Sequence, residues 1–198
     1  CFGHCHAYEV VWDEGYDDLA DTYKPKDAFR IYAHSSRLAT LRKVLDYTGN
    51  VPRFEADGKI HILKPVTTGT DYDSEYSLER GSHQFFSKAY RNSLVFPNKV
   101  YVKSNDDDDP QYLGTAQIDG YNSLPAHLKK IHYFRTRLES NNQAEDIAKA
   151  LIAKAEMGSA RGQAEIRINV GADMFDYVQA TDPRQGDTRT GNLGYIHR

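Results

Sequence analysis

The residues best suited to chemistry open the chain: CFGHCH places Cys1, His4, Cys5 and His6 within six positions. Thiolate and imidazole suit zinc, but a structural zinc site needs four such groups converging tetrahedrally. Ligands this crowded along the chain cannot all reach one ion without strain, and their order differs from the Cys-x-x-Cys-His of haem attachment. The stretch is read as the start of a strand. A metal-dependent enzyme using these four residues with remote His or Asp groups is the alternative. The run Asp106 to Asp109 offers oxygen ligands for calcium, yet it lacks the alternating positions, central glycine and twelfth-position glutamate of a calcium loop. It is expected to be a solvated loop whose charge discourages strand pairing. Gly158-Ser-Ala-Arg-Gly162 carries its serine one place too early for a nucleophile elbow, and neither a Walker loop nor a dinucleotide fingerprint occurs. No catalytic residue, metal or cofactor is nominated.

The elements that would carry any site are legible from period. Ser35 or Ser36 can cap a helix over about 36–48 whose Leu38, Leu41, Val44 and Leu45 share a face, with Gly49 as its stop. A second helix, about 142–157, follows Asn141 and Asn142. Its Ala144, Ile147, Ala148, Leu151, Ile152 and Ala155 obey the i, i+3, i+4, i+7 rule, with Glu145 as a capping-box partner and Gly158 as terminator. VPRFEADGKIHILKP predicts a hairpin turning at Asp57-Gly58 in a type I′ turn. Further strands are expected at 6–12, 75–78, 98–104, 113–119, 130–136, 163–170 and 176–182. In the 163–170 stretch Ala164, Ile166, Ile168 and Val170 alternate with polar residues, as on a sheet with one wet face. Strands cluster without regular βαβ units, which predicts an α+β fold of mostly antiparallel sheets with two amphipathic helices packed on them.

This organisation divides into a β-rich sub-region over 1–104, an acidic loop at 105–110, a second β-rich sub-region over 111–182 and an extended connector at 183–198. A hydrophobic fraction of 39% and a charged fraction of 27% fit a soluble globular chain. No apolar run approaches the roughly 20 residues that span a bilayer. A net charge of -3 argues against a dedicated nucleic-acid surface. The 14 tyrosines favour half-buried sheets and contact faces, and two cysteines, both in the first five residues, do not build a disulfide scaffold. A secreted β-rich binding module would share the tyrosine content, and the lack of any Asn-x-Ser/Thr sequon disfavours its glycosylated form.

Both ends are abrupt. Residue 1 is Cys, and DPRQGDTRTGNLGYIHR mixes charges with glycines before a short apolar segment, so a segment of a longer polypeptide is expected. Arg184, Asp187, Arg189, Leu193, Tyr195 and Ile196 are the candidate interface residues, ordered against another copy or a following module.

Taken in order, the helix ending in TGN, the hairpin RFEADGKIHILKP, EYSLERG, PNKVYVKS, GTAQIDG, IHYFRT, the Ala-rich helix NQAEDIAKALIAKAEM, EIRINV and the exit DYVQATDPRQGD resemble tailed-phage baseplate hub or tail-tip proteins over about residues 35–198. CFGHCH has no counterpart in that pattern. The resemblance implies a structural, non-enzymatic protein of the virion tail, soluble in the host cytoplasm before assembly. It also implies a homo-oligomeric ring, typically a trimer, that joins the tail tube to the tip and contacts other tail structural proteins.

Overall fold

The computed structural model describes residues 9–13, 36–77, 85–105, 107 and 110–197. Cys1, His4, Cys5 and His6 lie outside the described residues, as do Asp106, Asp108 and Asp109 of the acidic run. Among the described residues the fold is α+β, with two α-helices and eleven strands. The strands are β1 (Val10–Trp12), β2 (Val51–Phe54), β3 (Ile60–Leu63), β4 (Ser74–Ser77), β5 (Phe85–Asn92), β6 (Lys99–Lys103), β7 (Leu113–Gln117), β8 (Ile131–Arg135), β9 (Ala160–Ile166), β10 (Tyr177–Asp182) and β11 (Asp187–Asn192). The helices are α1 (Arg37–Leu45) and α2 (Asn141–Ser159).

Hydrogen bonding orders these strands as β1-β3-β2, β11-β10-β4, β7-β6-β8 and a two-stranded ribbon β5-β9. The sheets are more mixed than the antiparallel expectation: β1 runs parallel to β3, and β4 runs parallel to β10. A parallel neighbour needs a crossover rather than a tight turn, so such pairs leave no local signature in the sequence.

Two compact units divide the chain, and they interleave rather than follow one another on either side of the acidic run. One comprises 1–64, 102–115 and 134–151; the other comprises 65–101, 116–133 and 152–198. In the first, β1-β3-β2 packs its Ile60 and Ile62 face with Leu45 of α1, flanked by Trp12 and Leu41. The β2–β3 hairpin forms as expected, with Phe54 opposite Ile60, but its turn differs. Only Gly58 has positive φ, at 79°. The Gly58 N–H reaches Glu55 O at 3.0 Å, and Glu55 N–H reaches Lys59 O at 3.2 Å. This is a three-residue loop closed by a left-handed glycine, not a type I′ turn, and it spares Asp57 the left-handed conformation.

Helix ends differ in the same local way. No side-chain hydrogen bond caps α1 at Ser36, and Thr48 closes its far end, its hydroxyl donating to Leu45 O at 3.0 Å. In α2 the capping pair is Ser140 with Gln143, two positions before the expected Asn142 and Glu145: Ser140 Oγ accepts the Gln143 N–H at 3.1 Å, while Gln143 Oε1 accepts the Glu139 N–H at 2.8 Å. Asn141 is used elsewhere, accepting the Leu113 N–H at 2.9 Å. Beside it β7 crosses the helix start at Gly114, where a Cβ would overlap the backbone of Ala144 and Glu145. Ala144, Ile147, Ala148, Ala150 and Ile152 are buried, whereas Leu151 and Ala155 are half-buried. Gly158 does not stop the helix, which runs to Ser159 and passes directly into β9.

In the second unit, Tyr76 and Tyr177 are buried in the β11-β10-β4 sheet, with the Tyr72 ring 5.3 Å from that of Tyr177 and tilted 30° to it. Asp73 accepts the Tyr177 N–H at 2.7 Å, and Asn169 Nδ2 donates to Ser74 Oγ and Tyr76 Oη at 3.2 and 3.1 Å. In the ribbon, Tyr90 lies opposite Gly162, where a Cβ would come within 2.6 Å of the Tyr90 ring. The tail expected to be a bend-rich connector contains β11, paired residue by residue with β10 from Tyr177–Asn192 to Asp182–Asp187. Its turn has its own chemistry: Asp182 accepts the Arg184 N–H, Pro183 fixes its own φ, and Gly186 takes φ 61°.

Candidate functional site

The expected interface residues fall into two sets along the chain, one on the β10–β11 turn and β11 and one beyond β11. Three of them join an ion cluster built on the β10–β11 turn and β5. Asp182 ends β10 and is only 1% exposed, so its charge requires partners. Lys88 of β5, 12% exposed at its side chain, places Nζ 3.2 Å from Asp182 and 3.1 Å from Asp187. Arg184 Nε lies 3.2 Å from Asp182, and Arg189 Nε lies 3.0 Å from Asp187. The Tyr90 ring lies under Lys88 at 5.3 Å and under Arg189 at 5.7 Å.

The electrostatics follow from the partners. Hydrogen bonding from Arg184 holds Asp182 below the usual carboxylate range against its burial, with Lys88 adding to the effect. Asp187 is lowered chiefly by Lys88, and then by Arg189, again against burial. Burial alone would push Lys88 down, but hydrogen bonds to Asp187 and Asp182 overcome it and leave the ammonium above its ordinary value. Burial raises Tyr90, whose hydroxyl has no hydrogen-bond partner. Each charge in this cluster lies against one of opposite sign, so its chemistry is fastening: it ties the β10–β11 hairpin to the ribbon.

The other expected interface residues lie beyond β11. Leu193 is tied by its backbone, donating to Asp176 O at 3.0 Å and accepting the Phe175 N–H at 2.7 Å. Tyr195 is 78% exposed, and Ile196 is half-buried. A surface that the sequence did not single out stands at the end of the ribbon. There β9 stops at Ile166, and the alternating residues that follow, Ile168 and Val170, are 79% and 81% exposed. The strand expected over 163–170 on a sheet with one wet face instead ends at Ile166, and beyond it the apolar side of the alternation is wet as well.

A second polar cluster sits on the outer face of β3. His61 Nδ1 lies 3.0 Å from Asp13 Oδ1, and Nε2 lies 3.1 Å from Asp57 Oδ2 and 3.5 Å from Glu55 Oε2. Asp57 Oδ1 also accepts the Lys59 N–H at 2.9 Å, and Arg53 grips Glu55 at 2.6 Å. Hydrogen bonds to Asp13 and then Asp57 raise His61 above the ordinary imidazole value, and the His61 bond lowers Asp57. Among the described residues no group of three or more His, Cys, Asp or Glu is arranged to hold a metal ion. No helix among them is long and apolar enough to cross a membrane.

No family model matches the chain, and neither does any curated protein. Solved structures do. The tail protein from Neisseria meningitidis MC58 superposes with a TM-score of 0.56 at 11% identity, over 92% of this chain and 53% of that one. The 43 kDa tail protein of prophage MuSo2 from Shewanella oneidensis gives 0.55 at 11% identity, over 92% and 52%. At that identity the likeness is one of fold, and this chain spans about half the length of the tail proteins it matches.

Proposed function

We propose that this chain is a structural, non-enzymatic component of a phage or phage-like tail, acting as a baseplate hub or tail-tip ring that joins the tail tube to the tip. The observation that carries the reading is the β5–β9 ribbon. Among the described residues its strands pair only with each other, and beyond its end Ile168 and Val170 stand exposed to solvent. Exposed alternating apolar residues are costly in a lone molecule and are covered when copies line up side by side. The fold shared with two tail proteins supports the same setting. A threefold ring is the order implied by the hub resemblance. Leu193, Tyr195 and Ile196 are placed against a neighbouring copy or a following module, and other tail proteins cover the remaining ring faces.

Native mass spectrometry of the chain, alone and with the paired change Ile168→Asp and Val170→Asp, tests the assembly. A cyclic oligomer that the double variant reduces to monomer is the expected result. A wild-type chain that stays monomeric at all concentrations, or a variant that assembles equally well, overturns the ribbon as the ring contact.

A further inference from the structure

We propose that Asp13, His61 and Asp57 form a proton-dependent latch that fastens β1 to the β2–β3 hairpin when the imidazole carries both of its protons and loosens it when one is lost. The geometry sets the protonation. Ionised carboxylates only accept hydrogen bonds, so an imidazole with Asp13 at 3.0 Å on Nδ1 and Asp57 at 3.1 Å on Nε2 needs a proton on each nitrogen. Both bonds are made only by the imidazolium.

The two sides of the ring are unequal in what they hold. Asp57 and Glu55 belong to the same hairpin as His61, and both face Nε2. Asp13 follows β1 and is 48 positions away in sequence, so the Nδ1 bond is the one that joins separate segments. A neutral imidazole keeps one proton. Two carboxylates on Nε2 against one on Nδ1 hold that proton at Nε2, and the Nδ1 lone pair then faces the Asp13 carboxylate. Loss of a single proton thus turns the inter-segment bond from attraction into repulsion.

The surrounding charges leave His61 as the switching group. From β2, Arg53 stands opposite His61 in register but is engaged by Glu55 through Nε at 2.9 Å and Nη2 at 2.6 Å. From the turn, Lys59 pairs with Glu9 at 2.9 Å, a bond that raises the ammonium above its ordinary value. β1 is also held along β3 by its parallel pairing, bounded by the Ile60 N–H to Glu9 O bond at 2.9 Å at one end and the Asp13 N–H to Ile62 O bond at 3.2 Å at the other. Deprotonation therefore loosens the Asp13 end first and leaves the Glu9 end attached. The sign follows from linkage: His61 is raised in the folded state, so the latch is complete below the unfolded imidazole value and is lost as pH rises through the higher folded value. Its lower limit is the protonation of Asp57, which is itself depressed.

The test uses the whole chain and does not depend on its assembly state. Nitrogen-detected NMR of the His61 ring reports protons on both nitrogens and a titration above the ordinary imidazole value. Amide exchange, corrected for its intrinsic pH dependence, reads the latch: protection of the Asp13 N–H falls about tenfold between about pH 6 and about pH 9, while that of the Ile118 N–H, bonded to Asn98 O, stays constant. His61→Gln removes the pH dependence, and the milder Asp13→Asn moves the His61 titration back toward the ordinary value. An ordinary His61 titration with a single tautomer overturns the latch, and so does pH-dependent Asp13 exchange that survives in either variant.

Discussion

Along α2 and along Ala164 to Val170 the apolar residues recur without a miss, at helical spacing in the first and at every second position in the other. In α2 the stripe is buried, with Ala144, Ile147 and Ala148 withdrawn from solvent. In the second stretch Ala164, Ile168 and Val170 are exposed. Periodicity reports that a segment has an apolar face; it does not report what covers that face. A covered face is a feature of this chain, and an uncovered one is a demand on something else.

The sharpest way to break this contrast is to delete matter from both faces. Ile147→Ala is expected to cost about 2 to 5 kcal/mol in denaturant unfolding, because it leaves a cavity in a close-packed site. Ile168→Ala is expected to stay within about 0.5 kcal/mol in the monomer. Similar losses at the two positions would collapse the distinction.

Adding matter beside the covered face should also be felt. Gly114→Ala puts a methyl where the α2 backbone lies, and a loss of about 1 to 3 kcal/mol is expected in the same assay. An unaffected midpoint would show that β7 and the helix start can move apart.

The ion cluster extends the comparison to covered charge. Asp182 and Asp187 are held low in the folded state, so their contribution is complete above the unfolded carboxylate range, near about pH 4, and fades as pH falls through the depressed values. Lys88→Met should therefore lower the melting temperature most at neutral pH, with the gap to wild type narrowing in acid. A gap independent of pH would mean that lysine packing, not charge, was lost.

The smallest effect is expected at Asn50, fully buried with neither side-chain atom hydrogen-bonded. Asn50→Leu removes an unsatisfied amide and should leave stability within about 1 kcal/mol of wild type, or above it. A large loss would reveal a hidden polar partner.

What was legible in the sequence follows the range of the interactions. The hairpin at 51–63 and both helices rest on neighbours a few positions apart, and they were readable to within a turn. β5 was missed because FFSKAYRN does not alternate, and it becomes a strand through its pairing with β9. β11 was missed although Asp182-Pro183 and Gly186 spell a turn, because DTRTGN has no apolar face of its own. The clusters were hidden for a further reason: Lys88 and Asp187 are 99 positions apart, and His61 and Asp13 are 48. Only the fold brings them together.

The parallel pairing of β4 with β10 has a consequence for the order in which the chain takes shape. Asp73, at the edge of β4, bonds to Tyr177, 104 positions further on. At a synthesis rate of about 5 to 20 residues per second, β4 leaves the ribosome roughly 5 to 20 seconds before its partner exists. Over that interval Tyr76 has no sheet to enter, and β5 likewise waits for β9. The nascent chain therefore carries unmatched strand edges for many seconds, and a holding chaperone acting in that window would govern the yield of soluble protein.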